Sequence, residues 1–389
     1  MANATAPTHV HGTVSEGFED VREEFAAFVS GERHDPGAQL VAYHRGRRVV
    51  DLWAGEGIDG DSLTGVYSIT KGAAHLVVAL LVQDGVLELD REVSACWPEF
   101  AAEGKDRLTL RELLCHKAGL VGVDGGFTTD ELADDRAMAA RLAGQKPLWE
   151  PGTAYGYHAY VIGALTGEVV RRVTGRPVRE LYEERVRAPY GLDFYVGLPA
   201  ELEPRWREVL PLVPTREQAD QLLARAAAPD SIRGIAFNAH AARPTDLVAF
   251  ANSRTARALG STSSGGVGNA RGVAGMYAAA ISTVDGRPPL LAPATVAEFA
   301  GLRTPGPDLV TEQVNHFGLG FEYLAERYPC LGEDSFGHSG ATGSLGFADP
   351  ASEVAYAYVR RRFAFPSGQG ASPENGRLAQ SVLRAAARV

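Results

Sequence analysis

An α/β domain assembled from both ends of the chain, carrying a mostly helical insertion, is the fold the sequence predicts. Three observations lead there. Strand-like runs lie near the N-terminus (39–44 and 49–53) and again in the last third (317–323, 335–347 and 353–359). Apolar residues at helical spacing mark both outer flanks, 18–30 and 376–387, and the stretch between is dominated by helical periodicity. Residues 15–70 and 310–389 are therefore assigned to one discontinuous sheet domain and 71–309 to a mostly helical domain, with a cleft where they meet.

In chain order, Phe18, Val21, Phe25, Phe28 and Val29 give an amphipathic helix ended by Gly31. Gln39 to His44 and Val49 to Trp53 form a hairpin turning at Arg45-Gly46-Arg47. After a loop over 55–65, a buried helix runs to about Asp84 and is closed by Gly85. Further helices are expected at 108–114 with Thr109 as cap, at 130–143, at 161–173 before Gly175, and at 178–187, 245–252 and 270–281. The polar, proline-flanked stretch 205–232 reads as a surface excursion. The Gly/Ser-rich loop 260–268 lacks the spacing and the lysine of a phosphate cradle and reads as a flexible pocket wall. Arg360-Arg361-Arg362 reads as the solvated end of a strand.

Bulk properties narrow the function. A hydrophobic content of 45% with 22% charged residues argues against fibrous and disordered classes. A net charge of -10 without a basic block argues against nucleic acid or an anionic membrane surface as partner, because phosphate binding needs concentrated Lys and Arg. Residues 1–14 carry no basic segment followed by a long apolar run, so the expectation is a cytoplasmic protein with no membrane anchor. Cys96, Cys115 and Cys330 are too few and too scattered for a disulfide framework. No closely spaced His/Cys cluster suggests a structural metal, and neither a metal nor an organic cofactor is expected.

The chemistry concentrates at Ser68-Ile69-Thr70-Lys71. Two β-formers lead into Ser68, and Ala73, Leu76, Val77, Leu80 and Leu81 continue at helical spacing. Ser68 is thus expected at a helix N-terminus, its hydroxyl facing unpaired backbone N–H groups, with Lys71 one turn on along the same face. A serine needs a neighbouring base to act as a nucleophile, and a desolvated lysine can be one. With four lysines and eighteen serines in the chain, such a pair arises by chance only about 0.2 times. His116, beside a helix-ending turn, reads as a structural histidine rather than a base. The rival hydrolase signature G-x-S-x-G fails by one glycine at both Ser339 and Ser344.

Three segments together carry a resemblance: Ser68-Ile69-Thr70-Lys71, Pro151-Gly152 followed by Tyr157, and His338-Ser339-Gly340. The chain resembles the serine β-lactamase and penicillin-binding-protein superfamily from about Phe18 to Val389, in its class C β-lactamase-like branch with the family VIII carboxylesterases. The resemblance implies an antiparallel sheet flanked by terminal helices, a mostly helical domain, and an active site between them. It implies Ser68 as nucleophile with Lys71 and Tyr157, an oxyanion hole from the N–H groups of Ser68 and Ala341 on the edge of the late strand, and substrate-binding positions at His338, Ser339, Gly340, Tyr155 and His158. Tyr157-His158-Ala159 stands where the lactamases carry Tyr-x-Asn, so the amide that holds a β-lactam side chain is absent. His338 replaces the lysine of Lys-Thr-Gly, which puts a pH-dependent charge in place of a fixed one and predicts weaker carboxylate recognition above neutral pH. The expected activity is ester hydrolysis through an acyl-enzyme on a small-molecule ester. A transacylase or an amide or β-lactam hydrolase with the same machinery is the alternative, and a silent binding protein of this fold the less favoured one.

Overall fold

The computed structural model describes residues 9–313, 315–366 and 373–389. Its strands are β1 (His11–Val14), β2 (Ala38–His44), β3 (Arg47–Ala54), β4 (Thr64–Gly65), β5 (Phe194–Tyr195), β6 (Val267–Gly268), β7 (Glu322–Tyr323), β8 (Phe336–Ser339), β9 (Leu345–Asp349) and β10 (Val354–Arg360). Its longer helices include α1 (Glu19–Gly31), α2 (Ile69–Gln83), α3 (Ile162–Thr174), α4 (Ala270–Ile281) and α5 (Pro373–Ala386).

Seven strands form an antiparallel sheet in the order β1-β3-β2-β10-β9-β8-β7, so the first and last parts of the chain pair directly where β2 meets β10. The β2–β3 turn places both Arg45 and Gly46 at positive φ, the handedness that matches strand twist in a two-residue hairpin. Along β10, Val354, Tyr356 and Tyr358 join the core formed with Phe25 of α1 and Leu378 and Val382 of α5. The alternate Ala355, Ala357 and Val359 join the core that includes Val273 and Ala274 of α4. A strand covered on both faces has no solvent side, which is why β10 is apolar until Arg360.

Helix α2 is buried at every position from Ile69 to Leu81, so it is the central post of the molecule rather than an amphipathic surface helix. A second, small sheet in the order β4-β6-β5 fixes the approach to it. Among the described residues no helix is long and apolar enough to cross a membrane.

Several local expectations need correction. The stretch 130–143 is two helices, Thr129–Ala133 and Asp135–Ala143, because Asp134 takes an extended conformation and caps the second with bonds to the Arg136 and Ala137 N–H groups. β1 is an edge strand that the pattern of the N-terminal residues does not announce, and in 317–323 only Glu322–Tyr323 are strand. Arg360 is not solvated. It is buried, donating to Glu32 and to the Arg362 carbonyl.

Candidate active site

The turn into α2 is built by Tyr67, whose φ of 49° is unusual for a non-glycine residue and costs of order 1–3 kcal/mol. Its surroundings hold it there. The Tyr67 hydroxyl donates to the Leu247 carbonyl at 2.8 Å, its carbonyl accepts the Thr70 N–H at 2.9 Å, and the preceding Val66 N–H is tied to the Gly266 carbonyl at 3.1 Å. Ser68 follows as the residue before α2, but its side chain caps nothing. The expectation that its hydroxyl faces the helix N–H groups is therefore corrected: Ser68 Oγ is taken by two side chains instead.

Lys71 Nζ donates to Ser68 Oγ at 3.0 Å and the Tyr157 hydroxyl donates to it at 2.8 Å. Lys71 is 0% exposed, and its other contacts are the carbonyls of Ala159 at 2.7 Å and Ser263 at 2.8 Å. Removal from water disfavours its charge, opposed by the carboxylate of Glu322, and the balance lowers Lys71 to about 7. Burial likewise raises Tyr157 far above its usual range, keeping it a phenol at neutral pH. The Tyr157 ring lies parallel to Phe317 at 5.8 Å, and its N–H donates to Asp308 Oδ1 at 3.0 Å.

The end of β8 closes the other side. A Cβ on Gly340 would lie 2.6 Å from the Val66 carbonyl, so glycine is what lets this strand end approach the Ser68 segment. Ala341 is not on the strand edge, as expected, but in the turn beyond it, closed by the Gly343 N–H to the Gly340 carbonyl at 2.9 Å. Among the described residues neither the Ser68 nor the Ala341 N–H is paired. Ser68, Tyr157, Ser339, Gly340 and Ala341 all line a cavity of about 490 Å³. Its lining includes the apolar Tyr160, Leu212, Leu222, Phe237 and Phe363 and the polar Thr311, Asn315, Glu322 and Arg327.

Three of the expected substrate-binding residues lie elsewhere. His338 is buried beside Glu322, its Nδ1 on the Ser339 carbonyl at 2.8 Å, and burial lowers it to about 4 despite that carboxylate. It is neutral at physiological pH, so the expected charge switch is corrected. Tyr155 donates to the Gly306 carbonyl and packs on Phe317 outside the cavity. His158 is buried with Nδ1 on the Gly156 carbonyl at 2.6 Å, while its N–H donates to His116 Nδ1 at 3.0 Å. His116, fully buried against Phe317, supports Tyr157 from behind. Leu212 and Leu222 belong to 205–232, so that segment is a cavity wall rather than only a surface excursion.

Sequence reasoning missed Glu322, Asp308 and Ser263. Glu322 is a buried carboxylate accepting from the Ser339 N–H at 3.0 Å and the Ser339 hydroxyl at 2.7 Å, with Arg327 at 3.4 Å. An acid between two aromatics in an apolar run was the available signal. Asp308 binds the N–H groups of Tyr157, Val310 and Thr311, the pattern of an Asp after a proline at a turn. The Ser263 carbonyl leaves no mark in the sequence. The loop around it is buried and Ser264 lines the cavity, so it is the pocket wall expected, held by the Ser264 and Gly265 N–H groups on the Ser261 carbonyl. Among the described residues no group of three or more His, Cys, Asp or Glu could hold a metal ion.

Comparison with known proteins agrees with this geometry. The Beta-lactamase family profile matches residues 19–380. The chain is 30% identical over 377 residues to the esterase/beta-lactamase LipL of Mycobacterium tuberculosis, covering 93% of this chain and 85% of that protein. Among solved structures it is similar to EstA from Arthrobacter nitroguajacolicus Rue61a, at 40% identity and a TM-score of 0.89 over 98% of this chain and 99% of that one. It is also similar to a family VIII carboxylesterase, at 34% identity and a TM-score of 0.83 over 97% and 100%. A buried lysine and a phenol converging on one serine at the head of a central helix, with a family match over nearly the whole chain, place this protein in the beta-lactamase family.

Proposed function

We propose that the protein is a serine carboxylesterase in which Ser68 is the nucleophile. The observation that carries this is the double engagement of Ser68 Oγ by Lys71 and Tyr157 at the wall of the cavity. Two of the three tetrahedral positions on Lys71 Nζ that hydrogen bonds can use are taken by the Ala159 and Ser263 carbonyls. In the neutral amine the lone pair then points at Ser68 Oγ and can take its proton as the oxygen attacks the ester carbonyl. The N–H groups of Ser68 and Ala341 receive the developing oxyanion. As the C–O bond to the alcohol breaks, the Tyr157 hydroxyl hands a proton to the leaving oxygen and regains one from Lys71. Water attacks the acyl-enzyme by the same steps in reverse. The relatives named as esterases support this choice of substrate class. Ala159, in place of an asparagine, contributes only its carbonyl to Lys71, so efficient β-lactam hydrolysis is not expected.

The test is intact-protein mass spectrometry and turnover with p-nitrophenyl acetate, butyrate and octanoate and with a chromogenic cephalosporin. Acyl adducts with the esters are expected, and Ser68→Ala should abolish them and lower turnover by several orders of magnitude. Turnover of the esters by Ser68→Ala close to that of the wild type would end the assignment.

A further inference from the structure

We propose that Asp135, outside the catalytic cavity, is a positioning residue that fixes Lys71 through the two-residue segment Thr262-Ser263; this rests on the reading of Ser68 and Lys71 given above. Asp135 begins the helix Asp135–Ala143, but the capping is done by Asp134, which leaves the Asp135 carboxylate free for other partners. Its hydrogen bonds among the described residues all go to Thr262: Oδ2 accepts the N–H at 3.0 Å and the hydroxyl at 2.7 Å, and Oδ1 lies 3.3 Å from the same N–H. The next residue, Ser263, faces the other way. Its Oγ accepts the Gly163 N–H at 2.8 Å and its carbonyl accepts Lys71 Nζ at 2.8 Å.

The clamp is tight on both sides. A Cβ on Gly163 would lie 2.4 Å from Thr262 Oγ1 and 2.6 Å from the Ser263 nitrogen, so α3 begins in direct contact with the loop. The turn itself is closed by the Ser264 and Gly265 N–H groups on the Ser261 carbonyl at 3.2 and 2.7 Å. A carbonyl held this way fixes one of the two oxygens that orient Lys71, and orientation of a base is worth orders of magnitude in rate. The outer side of Asp135 faces a second cavity of about 460 Å³ that shares no lining residue with the catalytic one. Asp135 and Thr262 line no part of the catalytic cavity, and Ser264 is the one residue of their turn that does, so a change at Asp135 reaches the reaction chiefly through the Ser263 carbonyl and Lys71.

The experiment compares wild type, Asp135→Ala, Asp135→Asn, Thr262→Val and Thr262→Ser, reading kcat and KM for p-nitrophenyl acetate and the rate at which a fluorophosphonate labels Ser68. Asp135→Ala and Thr262→Val should each lower kcat and slow labelling about ten- to a hundred-fold, with KM within about two-fold of wild type. Asp135→Asn and Thr262→Ser, which keep an acceptor and a donor at the contact, should recover most of the loss. Unchanged kcat and labelling in Asp135→Ala overturns the inference, as does a loss carried mainly by KM. If Asp135→Ala does not fold, the Thr262→Val and Thr262→Ser pair decides by the same readings. A wild type that is not labelled at all overturns the Ser68 reading itself and takes this inference with it.

Discussion

At Lys71 two opposing forces meet, and their balance sets how the site responds to pH. Burial drives the amine toward neutrality while Glu322 holds it toward the ammonium form, leaving it at about 7. Only the neutral amine can accept the Ser68 proton, so the rate of acylation should rise with pH to a half-maximum near pH 7 and fall about tenfold per unit on the acid side. Glu322→Gln removes the charge that raises Lys71 and keeps an oxygen for Ser339, so the acid limb should move to lower pH. A limb that moves to higher pH, or stays, would mean that Lys71 is not the titrating base. His338, lowered to about 4, should add no step between pH 5 and 8, and a His338-dependent step there would contradict its burial. Tyr157→Phe removes the hydroxyl that reaches Ser68 and should cost about a hundredfold or more in kcat. Ser68 and Lys71 were legible because three residues along a helix bring side chains together whatever surrounds them. The charge of His338 was not, because burial is decided by residues distant in sequence. The same holds for Glu322, whose meaning lies in strand β8 across from it.

Elements follow the same division. Helix α2 was legible from its periodicity and its closing glycine, and the β2–β3 hairpin from its turn residues. The break at Asp134 was not, since the helical pattern runs on through it and only the capping bonds of its side chain reveal the stop. The burial of α2 was legible as well, because from Ala73 to Leu81 the only polar side chain is His75, which leaves no stripe for solvent. The seam between the sheet and α4 depends on small side chains, and it gives a test at this scale. A Cβ on Gly346 in β9 would lie 2.5 Å from Val273 Cγ1 and 2.9 Å from the Tyr277 ring. Neither neighbour is a flexible chain end that can swing aside. Gly346→Ala should therefore destabilise the protein by about 1–3 kcal/mol through overpacking, read as a lower urea midpoint at unchanged slope. A stabilised variant would show that the seam holds slack the packing does not suggest.

For the molecule as a whole, the consequence of a sheet drawn from both ends of the chain is that no long piece of it carries a complete core. The cavity is lined by residues from Tyr67 to Pro366, and segment 205–232 became one of its walls only through tertiary folding, which no local pattern announces. The last helix is the sharpest case. Leu378, Ala379, Val382, Ala385 and Ala386 of α5 are buried in one core with Phe18, Phe25, Tyr356 and Tyr358, so α5 is the cover for one face of β10 and of the strands beside it. Burying a Leu or Val side chain contributes about 1.5–3 kcal/mol, and the partners left bare on α1 and β10 lose theirs as well. That loss reaches the whole margin of about 5–15 kcal/mol on which a domain stands. A chain ending before Pro373 lacks none of the residues that touch Ser68 Oγ, yet it should show no cooperative thermal transition by circular dichroism and no fluorophosphonate labelling at Ser68. A truncated chain that melts cooperatively and is labelled would mean that the Ser68 site is held by α2 and its neighbours alone, and that the closure of the sheet by α5 is not what keeps it assembled.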